Sequence, residues 1–148
     1  GSEDALAEMA IKRLASPATA RVLVGGLGMG FTLAAALKHV GPQGEVVVAE
    51  LVPEVVKWNQ GPMGERAGNP MQDPRAKVVV SDVLELIRKE RGGYDTILLD
   101  TDNGPEGLTQ SRNNRLYSHR GLRSAYDALR PRGVLFSRGV VPVRSRPG

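Results

Sequence analysis

Residues 21–30 read RVLVGGLGMG, an apolar run that breaks into glycines and resumes as a helical pattern from Phe31 to Val40. Val22, Leu23 and Val24 are the bulky residues that a parallel strand buried on both faces requires, and the run has the length of a strand. Gly26, Gly28 and Gly30 follow in a G-x-G-x-G spacing. The first permits a turn that L-residues resist, the second lets the backbone approach a ligand with no Cβ in the way, and the third lets helix pack on strand. The stretch is therefore expected to be strand, tight turn and helix, with the helix N-terminus aimed at whatever fills the turn. Such a spacing alone is weak, and its context decides what it means.

The context is a chain that alternates. Glu3 to Leu14 places Leu6, Met9, Ala10 and Leu14 near helical spacing and stops at Ser16 and Pro17. After the glycine turn and its helix, which ends at Gly41 and Pro42, Glu45–Glu50 (EVVVAE) reads as a second buried strand. Pro53 opens a helix over Glu54–Asn59. Gly61 to Pro74 has three glycines, three prolines and no sustained period, so it reads as a long surface loop. Lys77–Val80 is expected as strand 3, Val83–Arg91 as a helix, Tyr94–Asp100 as strand 4, Thr101–Asn114 as irregular, Leu116–Leu129 as a helix and Val134–Val141 as strand 5. Five strands alternating with helices predict a Rossmann-like, doubly wound open parallel sheet, and right-handed crossovers with a switch point near strand 1 give strand order 3-2-1-4-5.

At 148 residues the chain is one domain's worth of sequence, expected over 3–148, with Gly1 and Ser2 read as an expression scar. The absence of cysteine excludes thiolate metal sites, disulfides and a cysteine nucleophile, and favours a cytoplasmic location. No apolar run approaches the ~20 residues that span a bilayer, so no membrane partner is expected. The net charge of +4 divides unevenly: residues 1–110 carry 11 Lys/Arg against 15 Asp/Glu, whereas 111–148 carry nine Arg against Asp127 alone. Few aromatics interleave those arginines, so the basic quarter reads as a solvated face rather than a nucleic-acid footprint.

Ligands of such a sheet sit beyond the carboxyl ends of its strands, and here those ends are acidic. Glu50 closes strand 2 about 20 residues after the glycine turn, where a carboxylate can accept the hydroxyls of a ribose. Asp82 follows strand 3 and can accept from an exocyclic amine, and Asp100 closes strand 4 beside the turn. Each alone is also a fitting helix N-cap or loop carboxylate. His39 falls in the last turn of its helix, where a cation is favourable. His119 lies near the strand-4 loop, and Trp58 and Met63 lie beside the expected cleft. The histidines have no metal-ligand spacing, so no metal is expected.

These residues together resemble the class I S-adenosylmethionine-dependent methyltransferase fold, and within it the spermidine synthase-like (polyamine aminopropyltransferase-like) branch. VLVGGLGMG resembles the family's glycine-rich motif, AELVPEVVKWN its second-strand motif, DPRAKVVVSDVLELI its adenine motif, YDTILLDTDNGP its strand-4 motif, and LYSHRGLRSAYDALRPRGVLF the helix and strand that follow. The resemblance implies a co-substrate, S-adenosylmethionine or its decarboxylated form, held by Gly26, Leu27, Gly28, Gly30, Glu50, Leu51, Asp82, Val83 and Asp100. It implies transfer of a methyl or aminopropyl group to a small-molecule acceptor, with Asp100, Asp102 and Asn103 as the catalytic positions. Three features depart from the pattern. Asn103 stands where the second Asp of a D-x-x-D segment is expected to deprotonate the amine, Met29 stands where the glycine turn commonly holds an Asp, and no N-terminal β-hairpin region precedes the first helix. An amide cannot serve as the base. The alternative is therefore a non-catalytic nucleoside-binding or oligomerising module that kept the fold. The C-terminal antiparallel hairpin of methyltransferase sheets is also expected to be absent, which would leave strand 5 an edge, protected by Pro142 and the arginines or used in a homodimer.

Overall fold

A computed structural model describes residues 2–99, 115, 116, 118–137 and 144–148, with the side chain of Ser2 left aside. Its elements are α1 (Ser2–Lys12), β1 (Arg21–Gly25), α2 (Phe31–His39), β2 (Glu45–Glu50), α3 (Pro53–Asn59), α4 (Pro62–Arg66), β3 (Ala76–Val80), α5 (Val83–Lys89), β4 (Tyr94–Leu99), α6 (His119–Ala128), β5 (Leu129–Ser137) and β6 (Arg144–Ser145), with short 3-10 turns at Pro17–Thr19 and Pro70–Gln72. The sheet order is β3-β2-β1-β4-β5-β6, and the first five strands run parallel. This is the doubly wound order 3-2-1-4-5 expected from the alternation.

The strand periodicity of two sorts the core into two layers. Val22, Val24, Val46, Val48 and Leu98 face Ala7, Ala10 and Ile11 of α1 and Leu33 and Ala36 of α2. Leu23, Val47, Ala49, Ile97, Leu99 and Leu135 face Leu84 and Ile87 of α5 and Ala125 and Ala128 of α6. Each buried Leu, Ile or Val contributes about 1.5–3 kcal/mol, so both faces of the central strands are sealed by the same mechanism.

Several expectations are corrected. Met9 is 46% exposed, and the inward stripe of α1 is Ala7, Ala10 and Ile11, whose small side chains let α1 close on α2. Gly61 to Pro74 is no plain loop, since Pro62 and Pro70 each start a helical turn at the position that needs no N–H. The last helix starts at His119 and stops at Ala128, and the chain enters β5 at Leu129. β6 pairs antiparallel with β5, Val134 opposite Ser145 and Leu135 opposite Arg144, so β5 is not a bare edge there. Strand 4 is described to Leu99 and strand 5 to Ser137. Among the described residues, no helix is long and apolar enough to cross a membrane.

The amino ends of the strands carry an ion network. Arg21 pairs with Glu45 at 3.1 Å and with Glu90, and its guanidinium lies 4.6 Å from the centre of the Tyr94 ring. Lys77 reaches the other oxygen of Glu45 at 3.1 Å. Burial pushes the Glu45 carboxyl up, but hydrogen bonds from Lys77 and Arg21 outweigh it and hold the group below its ordinary value of 4.5. A group lowered in the folded state stabilises fully above its unfolded value, and that contribution fades as pH falls through the folded one. Glu45→Gln is therefore expected to cost about 1 kcal/mol at pH 7 for this partly exposed pair. Urea titrations at pH 7 and pH 3 should show the gap between wild type and variant closing in acid.

Candidate nucleoside site

The glycine turn takes the shape its composition requires. Gly26, Gly28 and Gly30 have φ of 102°, 53° and 86°, the left-handed side that side chains resist. Gly26 N–H donates to the Ala49 carbonyl at 2.8 Å and ties the turn to β2, while Gly30 N–H closes it on the Leu27 carbonyl at 2.8 Å. Gly30 is then the N-cap of α2.

Glu50 stands at the end of β2 with 6% of its surface exposed. Its Oε1 accepts from Leu27 N–H at 2.9 Å and, at a longer 3.4 Å, from Gly28 N–H, and its Oε2 accepts from Val52 N–H at 2.9 Å. The carboxylate thus braces the glycine turn from the neighbouring strand. A carboxylate offers about four lone-pair positions, so Oε2 keeps one for a ligand hydroxyl while the long Gly28 bond is the readiest to yield.

Asp82 caps α5, its Oδ1 accepting from Leu84 N–H at 3.0 Å. Its Oδ2 accepts from Arg115 at 3.1 Å, so both oxygens are engaged. Val83 belongs to the core, 1% exposed. Leu27 is buried and Leu51 half-buried. Met29, Trp58, Val79 and Val80 are 38–56% exposed and give these elements an apolar fringe. His39 ends α2 as expected, and His119 is an exposed first residue of α6. Asp100, Asp102 and Asn103, and with them the segment Thr101–Asn114, lie outside the described residues.

Two side chains with no marking in the sequence contact these candidate residues. Asn59, 2% exposed, donates from Nδ2 to the carbonyls of Gly28 and Val55, each at 2.8 Å, and so ties the turn to α3. Its sequence signal is only an Asn ending a short helix. Arg115 reads in sequence as one arginine of a basic quarter, and nothing local marks it as the partner of Asp82.

A family model described as the spermine/spermidine synthase domain matches residues 3–144. The chain belongs to that family. A polyamine aminopropyltransferase of Thermococcus onnurineus is 31% identical over 121 residues, covering 82% of this chain and 40% of that protein. Polyamine aminopropyltransferase 1 of Streptomyces coelicolor is 32% identical over 126 residues, covering 84% of this chain and 22% of that protein. Among solved structures, spermidine synthase from Thermotoga maritima superposes with a TM-score of 0.70 at 25% identity, over 88% of this chain and 42% of that one. A spermidine synthase in complex with the transition state analogue AdoDATO superposes with a TM-score of 0.67 at 25% identity, over 88% of this chain and 41% of that one. This spermine/spermidine synthase domain therefore spans well under half the length of these relatives.

Proposed function

We propose that the chain is the nucleoside-binding part of a polyamine aminopropyltransferase-like transferase. Its co-substrate is decarboxylated S-adenosylmethionine, with S-adenosylmethionine and methyl transfer as the variant the same site would serve. The observation that carries the reading is the Glu50 carboxylate, buried at the end of β2 and bonded to the turn through Leu27 and Gly28 N–H with one acceptor position left. Glu50 accepts a ribose hydroxyl, Leu27 and Leu51 wall the sugar, Asp82 and the Val83 backbone hold the base edge, and Gly26, Gly28 and Gly30 leave room for the chain of the sulfonium. The relatives named as polyamine aminopropyltransferases support the aminopropyl group and a small amine acceptor.

In that reaction the amine nitrogen attacks the carbon bonded to the sulfonium sulfur, the C–S electron pair stays on sulfur as a thioether, and the amine loses a proton. The fold's contribution is alignment of nucleophile, carbon and sulfur. Asp102, next to Asn103 in the sequence, is the carboxylate assigned to take the proton, with Asp100, the residue after Leu99 in the sequence, as the other catalytic position. Asp102→Asn and Asn103→Ala are each expected to lower turnover at least about tenfold with donor affinity nearly intact, roughly 1.4 kcal/mol of transition-state stabilisation. Steady-state assays beside donor titrations check this. Wild-type turnover in both variants would move the acceptor side elsewhere.

Calorimetric titration with decarboxylated S-adenosylmethionine, S-adenosylmethionine, S-adenosylhomocysteine and methylthioadenosine tests the binding itself. No heat from any of the four at millimolar concentration would refute the reading. The non-catalytic module is favoured by Met29, 45% exposed at the turn where an Asp would partner a cationic amine. Binding with no product from either sulfonium donor and a panel of amines would decide for it. Arg115 supplies a finer test, because a base amine must compete with it for Asp82 Oδ2. Arg115→Ala is expected to tighten methylthioadenosine binding a few-fold and to change stability by less than about 1 kcal/mol, as for an exposed pair.

A further inference from the structure

At the amino ends of the strands, away from the glycine turn, a cavity of about 280 Å³ opens between the end of α1, the start of β4 and the start of β5. Its wall is made by an irregularity in the sheet. Tyr94 pairs with Leu129 and Thr96 with Val134, so the single β4 residue Asp95 faces four residues of β5, Arg130 to Gly133. Bulges of this kind re-aim side chains, and this one is held in shape from outside. Arg132 N–H donates to the Arg146 carbonyl and Arg146 N–H to the Gly133 carbonyl, each at 2.9 Å.

Three arginines line the cavity, Arg13, Arg130 and Arg132, with Ser16, Thr19 and Asp95. Asp95 is already committed, bonded to Arg130 at 3.1 Å and to Arg21 N–H at 2.8 Å. No carboxylate among the described residues pairs with Arg13 or Arg132. The cavity is therefore lined by two arginines without a carboxylate partner among the described residues and by two hydroxyl-bearing residues, with the Arg132 stem packed against Gly148. Arg132 also has a φ of 66°, a left-handed conformation that glycine takes freely and residues with a Cβ resist. An arginine at a glycine-type position at the rim of a basic cavity is a backbone outlier of the sort found at binding sites.

We propose that this cavity is a second ligand site, for a small phosphate-bearing anion. Guanidinium forks match phosphate oxygens in pairs, hydroxyls complete the oxygen shell, and the volume is at the small end for ligand pockets, which fits a phosphate or diphosphate group with little attached. The site is independent of the nucleoside site, because it uses none of its residues and lies at the opposite ends of the strands.

The test is calorimetric titration of the 148-residue chain with pyrophosphate and, separately, inorganic phosphate at 0.15 M salt, which screens diffuse surface attraction. One saturable site for pyrophosphate is expected, weakened at least tenfold by Arg132→Gly and by Arg13→Ala. Arg123→Ala, on an exposed position of α6, is expected to leave it unchanged. Arg132→Gly separates binding from folding, since glycine suits φ 66° and its melting temperature should match or exceed wild type. Absence of saturable binding overturns the proposal, as does equal weakening by Arg123→Ala, which would assign the heat to general basic charge. Tighter binding of a duplex oligonucleotide that is lost with Arg123→Ala but not Arg132→Gly would likewise overturn it.

Discussion

Glu50→Ala is expected to loosen the co-substrate by at least tenfold and to destabilise the fold by about 2–4 kcal/mol, since truncation strands buried donors as well as removing an acceptor. Leu27 N–H, Gly28 N–H and Val52 N–H would all lose the carboxylate they share, and the glycine turn would lose its brace on β2. Glu50→Gln should fall between the two. Its amide oxygen can still accept from one side, while its NH2 meets an N–H on the other, so one of the three bonds becomes a clash of donors. Urea denaturation reads the stability term and calorimetry with methylthioadenosine the affinity term. Wild-type affinity in a folded Glu50→Ala would remove Glu50 from the ligand and leave it a purely structural brace.

Gly30→Ala is the second large effect, with an expected loss of about 2–3 kcal/mol, from a positive φ of 86° and a new Cβ in contact. That Cβ would lie 2.9 Å from Asn59 Oδ1 and 3.4 Å from the Ala67 Cβ. The two causes are separable, because Asn59→Ala removes the first contact and leaves the backbone strain. In the Asn59→Ala background the cost of Gly30→Ala should shrink by at least about 0.5 kcal/mol, a coupling read by a double-mutant cycle in urea. Additive losses would mean the turn moves away from α3 at no cost.

Met9 and Arg115 show where reading by sequence stops. A period of 3.6 identifies α1 as a helix, but which of two adjacent stripes turns inward depends on the partner surface. The alanine-lined stripe wins because α2 packs closely there. Asp82 behaved as its local chemistry dictates, capping α5, yet its second oxygen is held by a residue 33 positions away. Pro131 and Gly133 signal a break between the expected helix over Leu116–Leu129 and the expected strand from Val134, without saying that the strand already begins at Leu129.

The sequence by itself determined the sheet order, the glycine turn and the placing of Glu50 and Asp82 at strand ends, because these follow from local rules: apolar runs of strand length, glycines at positive φ, and carboxylates at fixed spacing from them. Tertiary structure alone decided that Glu50 braces the turn, that Asn59 ties it to α3, that Arg115 occupies Asp82, and that β6 covers part of β5. Each of those is a contact between residues distant in the chain, made where the fold brings a donor and an acceptor together, and no local pattern encodes that meeting.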